Sequence, residues 1–201
     1  MRFSRLDVLR FRIRAQELHR DDGANDAAVL DLGVQDTGPD GAAWALAVRG
    51  ASVPVEDLAL AWTLRGAPHF YRRAEIAAVA AATAPWSDTD AAKRIFDAAR
   101  PLKAAGIPIL EALDVVAAEM RDIATKPIVK GEMSTQLTSR LDAPYLRECR
   151  PCQAIHTYEQ PFRLAALRAG LELEPDTSPP VLRRIPRWRG PAANVPQHLD
   201  P

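Results

Sequence analysis

The sequence predicts a mainly α protein with short β-hairpin wings, organised as two winged helix-turn-helix domains in tandem. Apolar residues recur at helical spacing over most of the 201 residues. The order helix, helix, polar or small-residue helix and then strands occurs twice, although the two halves share no sequence similarity. Seventeen prolines and long alanine runs, with 6% aromatic residues, are typical of helices separated by loops. We expect a first domain at 1–84, a second at 85–170, and a basic, proline-rich linker or the start of a further C-terminal part at 171–201.

The overall charge does not point to nucleic acid. The 26 basic and 26 acidic residues balance, so any DNA-binding surface has to come from local segregation of charge. No apolar run approaches the roughly 20 residues that a membrane span needs, and Arg10, Arg12 and Arg14 interrupt any signal-peptide core. The two cysteines lie close together and cannot form a disulfide framework, which favours a reducing compartment. We therefore expect a cytoplasmic protein with no membrane partner.

The first predicted helix carries an apolar stripe on an otherwise basic surface. Leu6, Leu9 and Ile13 have helical spacing, and arginines occupy the remaining faces. These arginines form either a solvated surface or a set of phosphate contacts with bound DNA.

The third predicted helix lacks the side chains of a sequence reader. A second helix is predicted at 27–32, and the third runs from Pro39 through Trp44 to Val48. In a winged helix-turn-helix the third helix normally lies in the major groove. Here it is rich in alanine, with Arg49 alone near its end, and direct base readout uses Arg, Asn and Gln. This argues against a sequence-specific repressor.

The turn between these two helices holds the candidate catalytic side chains. Its glycines and proline, within residues 33–41, force a tight and non-helical path. That path fixes three hydrogen-bonding side chains between two apolar elements: Gln35, Asp36 and Thr37.

A basic and aromatic hairpin follows the third helix. Residues 62–64 and 69–71 are predicted as its strands, around the break Gly66-Ala67-Pro68. The candidate DNA contacts of this segment are Arg65, His69, Arg72 and Arg73. The neighbouring aromatic rings fit either stacking on a distorted base or ordinary core packing. His69 fits either a structural histidine or a site residue that faces the Gln35 turn.

Two segments of this region resemble the winged-helix DNA glycosylases that excise alkylated purines and unhook interstrand crosslinks. Gly33-Val34-Gln35 matches the start of the family's catalytic motif, and Arg65-Gly66-Ala67-Pro68-His69 matches a segment of its first wing. The second catalytic position falls on Thr37, where the family has Gln or Asp. The family normally continues into a third winged helix and a β-barrel, so the chain is similar to the N-terminal half of that pattern.

The resemblance implies hydrolysis of the N-glycosidic bond of an N7-alkylated purine, without a cofactor, on double-stranded DNA held mainly by its phosphates. Gln35 is then the residue that positions the water. Thr37 could hold the same water, and Asp36 could offset positive charge on the deoxyribose if its side chain points inward. No phosphate-binding glycine loop, nucleophile elbow or HExxH zinc motif supports another enzyme class.

The second predicted domain has its own polar helix and strands. Helices are predicted at 74–84, 89–105, 107–126, 131–141 and 161–169, with strands between 145 and 158. Its candidate phosphate contacts, on or beside the fourth of these helices, are Lys130, Ser134, Thr135 and Arg140.

The C-terminal part raises two further questions. Cys149, Cys152 and His156 supply three metal ligands, but structural zinc takes four, so no metal site is predicted. Residues 181–190 are basic with one tryptophan and no acid. Arg183 and Arg184 there form either a nucleic-acid contact or part of a strap between the domains.

The sequence is compatible with three functions. The first is a monofunctional DNA glycosylase that acts on alkylated purine. The second is a DNA-binding module of the same fold without catalysis, in keeping with Thr37. The third is a winged-helix transcription regulator, against which the alanine-rich third helix argues.

Overall fold

The protein is a mixed α/β structure, and the expectation of a mainly α fold is wrong. The computed structural model describes residues 2–20, 22–151 and 153–193. A six-stranded antiparallel sheet runs through it in the order β1-β3-β2-β7-β8-β4. Its strands are β1 (Val34–Gln35), β2 (Leu58–Trp62), β3 (Pro68–Arg72), β4 (Ile128–Val129), β7 (Leu171–Leu173) and β8 (Val181–Arg184). The sequence under-predicted strand because the first hairpin pairs with segments more than 100 residues further along the chain.

A separate two-stranded sheet is made of β5 (Leu146–Cys149) and β6 (Ala154–Thr157), which confirms strands between residues 145 and 158. The α-helices are α1 (Arg5–Ala15), α2 (Gly41–Ala47), α3 (Ile76–Thr83), α4 (Asp88–Ile95), α5 (Ala99–Ala104), α6 (Ile109–Ile123), α7 (Lys130–Thr138) and α8 (Glu159–Arg168). In the part of the chain that the structure describes, none of these helices has the length and apolarity of a membrane span.

Local signals account for several helix ends. Ser87 accepts a hydrogen bond from the main-chain nitrogen of Asp90 and so caps α4. Helix α6 buries Leu113, Val116 and Met120 on one face, as the apolar spacing predicts. The helix predicted over 89–105 is divided into α4 and α5, because Phe96 adopts φ +53°. The segment predicted as a helix at 27–32 forms a single 3₁₀ turn.

The central hairpin has two differently packed faces. Because side chains alternate along a strand, Leu60, Trp62 and Phe70 face one core, which also receives Val34 of β1. Ala59, Ala61 and Tyr71 face a second, smaller core under α3. Helix α8 covers the first face, where the Trp62 and Phe162 rings meet edge to face at 5.9 Å between centroids.

The six-stranded sheet extends across the predicted domain boundaries. Strands from all three predicted ranges, 1–84, 85–170 and 171–201, join the six-stranded sheet. Residues 171–184, expected to be linker, supply β7 and β8. The division into three parts stays a prediction. Hydrogen bonds between strands of the one sheet connect those parts.

Helix α1 is the exception to the packed body. Its apolar side chains remain largely exposed, with Leu6 at 53% and Phe11 at 70%, and it has no buried residue. The capping box formed by Ser4 and Asp7 defines its start. Its arginines are exposed, which fits both a solvated surface and phosphate contacts with DNA.

Candidate active site

The candidate site is built on β1, an edge strand of the six-stranded sheet. Gly33, just before it, adopts φ +84°, and a Cβ there would lie 2.5 Å from the Tyr71 ring. Only glycine allows this approach of the turn to the hairpin. Gln35 is exposed at the end of β1, and its Nε2 donates a hydrogen bond to Thr37 Oγ1 at 3.2 Å. The amide of Gln35 is therefore accessible and partly oriented.

Asp36 points to the other side of the sheet from Gln35 and Thr37. Its main-chain nitrogen bonds to the Pro68 oxygen at 2.9 Å, continuing the strand pairing. Its carboxylate accepts a hydrogen bond from the main-chain nitrogen of Ala42 at 3.2 Å and so caps α2. That cap is needed because Asp40, the N-cap residue, makes no side-chain cap of its own. A catalytic role for Asp36 stays a prediction, and this placement does not support it.

On its sheet side Asp36 lines a cavity of about 600 Å³. The floor of the cavity is apolar, with Trp62 and Phe70 among its lining residues. Its rim carries four carboxylates and no basic side chain: Asp36, Asp40, Glu174 and Asp176. Such a lining is unsuited to a DNA phosphate, so we place no backbone contact there.

His69 is buried directly opposite Gln35. The two residues are cross-strand partners in the β1–β3 pairing, and His69 is 6% exposed. Its Nδ1 lies 3.0 Å from the Ala67 carbonyl oxygen and 3.1 Å from Thr63 Oγ1. Burial lowers the pKa of His69, and the hydrogen bond to the Ala67 carbonyl opposes that shift in part. The predicted phosphate contact of His69 stays a prediction, which a residue only 6% exposed supports weakly.

The polar network around His69 was not found from the sequence. Thr63 Oγ1 also lies 2.8 Å from the hydroxyl of Tyr71. Burial raises the pKa of that phenol, with the Thr63 hydrogen bond acting in the opposite direction. The available signal was alternation: Ala61 pairs with His69, so Thr63, two residues further on, belongs to the same side of the hairpin.

The tip of the hairpin presents Arg65. It is exposed at φ +58° in the turn Leu64–Gly66. Among the residues that the structure describes, Arg65 makes no ion pair. Gly66 behind it is buried against α8, where Arg163 Nη1 donates to its carbonyl oxygen at 2.8 Å. Arg163 also lies over the Trp62 ring, 5.4 Å from its centroid. Helix α8 therefore fixes the tip that carries Arg65.

Arg72 and Arg73 are engaged within the protein. Arg72 forms ion pairs with Asp26 at 2.7 Å, Asp31 at 2.6 Å and Glu75 at 3.2 Å. Burial alone would lower the pKa of this guanidinium, but its hydrogen bonds to the carboxylates outweigh burial, so the pKa lies above its ordinary value. Arg73 pairs at 2.8 Å with Glu172, which is 1% exposed. DNA contact by Arg72 and Arg73 stays a prediction that must compete with these partners.

The polar helix α7 lies at the opposite edge of the sheet from β1, because it begins directly after β4. Lys130 Nζ pairs with Glu159 at 2.8 Å, and Arg140 pairs with Glu119 at 3.1 Å. Thr135 is exposed and Ser134 is half-buried. Burial raises the pKa of Glu159, but the hydrogen bonds from Lys130 and Arg163 lower it by more.

The two C-terminal arginines hold the sheet to its neighbours. Arg183 pairs with the buried Glu172 at 2.9 Å. Arg184 donates to the carbonyl oxygens of Ala124 and Arg121, both at 2.8 Å, at the end of α6. Trp188 packs against Gly170, where a Cβ would collide with its ring. These contacts favour the strap over the nucleic-acid contact, which stays a prediction for Arg183 and Arg184.

The cysteine cluster yields no metal site that can be described. Cys149 is buried, Cys152 lies outside the described residues, and His156 Nδ1 donates to the Thr157 carbonyl oxygen at 2.7 Å. Within residues 2–20, 22–151 and 153–193, no three potential ligands come together to hold a metal ion.

The structure thus brings some of the predicted site residues together and separates others. Gln35, Thr37 and His69 share one side of the β1–β3 pair, and Arg65 lies at the tip of the same hairpin. Lys130 of the α7 group approaches the same tip, because it pairs at 2.8 Å with Glu159, which also pairs with Arg163, the side chain that donates to the Gly66 carbonyl oxygen. Sequence reasoning missed the side chains that hold the tip, Gln160 and Arg163, which contact it from almost 100 residues away.

Comparison with known proteins gives this arrangement a family. Residues 29–200 match the family model described as AlkZ-like, DNA glycosylase AlkZ-like. The fold is similar to that of the Streptomyces sahachiroi DNA glycosylase AlkZ, with a TM-score of 0.60 and 19% sequence identity. The match covers 92% of this chain and 50% of the Streptomyces chain, so this chain spans about half the length of that protein. No curated protein matches the sequence. Because the family model covers most of its length, the chain belongs to the AlkZ-like DNA glycosylase family.

Proposed function

We propose that this protein is a monofunctional DNA glycosylase that hydrolyses the N-glycosidic bond of N7-alkylated purines, including those in interstrand crosslinks. Its substrate is double-stranded DNA in the cytoplasm, held mainly through phosphates by two tandem winged-helix modules. Family membership supports the general activity. The finer assignment depends on the residues around β1.

The observation that carries the proposal is the position of Gln35. A glycosylase of this kind must present an amide side chain to the DNA at a fixed point. Gln35 is exposed on an edge strand, follows a glycine that the fold requires, and has its Nε2 held by Thr37 at 3.2 Å. With the nitrogen end engaged, the carbonyl oxygen is the end left to accept a hydrogen bond from a water.

Hydrolysis of this N-glycosidic bond requires few catalytic groups. An N7-alkylated guanine is cationic and leaves as a neutral base, so no strong nucleophile is required. The enzyme has to orient a water toward C1′ and exclude unproductive geometries. Gln35 supplies the orientation, and the Thr37 hydroxyl acts as the residue that steadies Gln35.

Arg65 is the DNA contact that the geometry supports best. It is exposed, held at the tip of the hairpin by α8, and forms no ion pair with any described residue. A phosphate contact there costs no internal partner, in contrast to Arg72, Arg73 and Arg183. The α7 group extends the proposed surface toward the other edge of the sheet.

The test is release of free 7-methylguanine from duplex DNA under single-turnover conditions. Wild-type protein should release the base above the rate of spontaneous depurination. Gln35→Ala should lower that rate by about 100-fold, in line with the loss of a positioning group. Gln16→Ala, the same chemical change at an exposed position at the end of α1, is the matched control and should keep the wild-type rate. Absence of release by folded wild-type protein would contradict the proposal.

A non-catalytic DNA-binding module is the second candidate. Thr37 supports it, since a hydroxyl cannot offset an oxocarbenium ion as a carboxylate does. The orientation of Asp36 supports it further, because its carboxylate caps α2 on the other side of the strand. Duplex binding with no release of base, by wild type and Gln35→Ala alike, would favour this candidate.

A further inference from the structure

The pairing of β1 with β3 places a titratable residue, His69, directly opposite Gln35. Directly opposite residues on antiparallel strands have Cβ atoms about 5 Å apart, and Gln35 and His69 are such partners. Thr37 belongs to the same side, because it bonds to the Gln35 amide. The imidazole is therefore the ionisable group closest to Gln35 in the strand pairing.

The contacts of His69 fix its tautomer. Nδ1 lies 3.0 Å from the Ala67 carbonyl oxygen, which can only accept a hydrogen bond. Nδ1 must then carry the proton, and in the neutral ring Nε2 is an unprotonated acceptor. Thr63 Oγ1, 3.1 Å from the same Nδ1 and 2.8 Å from the Tyr71 hydroxyl, holds the ring in this orientation.

Nε2 of His69 is open. It has no hydrogen-bond partner among the residues that the structure describes. Within that part of the chain, the side-chain atoms that are both sealed from solvent and unpartnered are Arg147 Nε, Gln160 Oε1 and Trp188 Nε1. Nε2 therefore reaches solvent, although the whole residue is only 6% exposed. A buried ring held by one nitrogen with the other nitrogen free is the arrangement of a proton acceptor.

We propose that His69 is the general base of the reaction, its Nε2 taking a proton from the water that Gln35 positions. This inference rests on the proposed glycosylase function. In the step, the water oxygen forms a bond to C1′ while the C1′–N9 bond breaks. The electron pair of that bond neutralises the departing N7-alkylguanine. The water proton moves to Nε2, and the imidazolium then returns it to solvent.

The charged groups near His69 come from several elements. Its hydrogen-bond partner Thr63 lines a cavity together with Asp114 and Arg121 of α6 and Arg168 of α8. The phenol of Tyr71 is the titratable group in contact, with ring centroids 6.2 Å apart. Arg65 belongs to the hairpin turn and Arg163 of α8 approaches that turn at Gly66. On β1, Asp36 points to the other side, and α3 presents the uncharged sequence of Ile76–Thr83. Burial lowers the pKa of His69 from 6.5, so the ring is neutral at pH 7 and available as a base.

The test is the pH dependence of 7-methylguanine release in single turnovers from pH 5 to 8. For wild-type protein, the rate should fall tenfold per pH unit below the pKa of His69 and be constant above pH 7. His69→Gln should lower the rate by about 100-fold at pH 7.5 and abolish the pH dependence, because an amide accepts a hydrogen bond but no proton. Duplex affinity should remain within threefold of wild type.

Tyr71→Phe is the matched structural control. It deletes a hydrogen bond from the same network and leaves the imidazole in place, so the pH dependence of the wild type should persist. A His69→Gln rate within threefold of wild type would overturn the inference and leave the proposed function standing. So would a flat profile of the unaltered protein, which needs no variant to fold. No release by the wild type would instead contradict the proposed function itself.

Discussion

Arg163 of α8 donates a hydrogen bond to the carbonyl oxygen of Gly66, 97 residues away, at 2.8 Å. The same guanidinium pairs with Glu159 and lies over the Trp62 ring. This one side chain therefore joins the tip of the first hairpin to a helix of the later part of the chain. The orientation of Arg65, and with it the proposed DNA contact, depends on these contacts of Arg163.

Gly66→Ala should destabilise the protein by about 2 kcal/mol, from left-handed strain together with overpacking. Gly66 has φ +70°, and an added Cβ would lie 2.8 Å from Gln160 Oε1 and 3.1 Å from Arg163 Cδ. Gly38→Ala is the matched control, since Gly38 has φ +75° but no atom within 4 Å of the added Cβ. The difference between the two variants in free energy of unfolding, measured in urea, gives the cost of the side-chain clash separately from the cost of the left-handed backbone. Equal losses in the two variants would mean that α8 does not hold the tip.

Glu172→Gln should destabilise the fold by about 3 kcal/mol. The carboxylate is 1% exposed and joins Arg73 at 2.8 Å to Arg183 at 2.9 Å. The variant leaves Arg73 without its counter-charge and Arg183 with Glu174 alone, at 4.0 Å. Glu119→Gln, which breaks the exposed pair with Arg140, should change stability by about 0.5 kcal/mol or less. Chemical denaturation measures both. A loss at Glu172 as small as that at Glu119 would show that these ion pairs of Glu172 do not stabilise the sheet.

Arg65→Ala should weaken duplex binding uniformly across sequences and reduce the slope of log K against log salt by about 1. The reason is the loss of one phosphate contact at the hairpin tip. Arg100→Ala removes the same charge from an exposed position on α5 and is the control. Fluorescence anisotropy at several salt concentrations gives both slopes. Identical slopes for Arg65→Ala and wild type would exclude Arg65 from the interface.

The Glu159 ion pairs should make stability depend on acid pH. Because the folded pKa of Glu159 lies below its ordinary value of 4.5, the unfolded state binds the proton more readily. The stabilisation is present above pH 4.5 and is lost as pH falls through the folded pKa. Thermal melts at pH 7 and pH 3.5 should therefore differ less for Glu159→Gln than for wild type. Glu148→Gln, on the exposed side of β5, should retain the wild-type difference.

Predictions from the sequence were most accurate where the signal was local. Residues within one turn or one strand of each other predict the glycine-bounded turn and the hairpin around Gly66. The same short-range patterns predict the helices α3, α6, α7 and α8. The resemblance carried by Gln35 and by the segment from Arg65 to His69 identified the family. The expected arginine contacts were less well placed, because their partners are remote: Arg72 and Asp26 are 46 residues apart, and Arg73 and Glu172 are 99 apart.

The sequence by itself determined where the chain turns, where most of its helices lie, and that Gln35 follows a glycine turn beside a hairpin. These properties depend on backbone conformations and short-range spacing, which neighbouring residues fix. Only the tertiary structure decided that strands from three distant ranges form one sheet and that Asp36 points away from Gln35. It alone also directed Nδ1 of His69 to Thr63 and Ala67, leaving Nε2 open. Such relationships arise from the pairing of distant strands and the burial of charge, and no local pattern encodes which distant segment will pair.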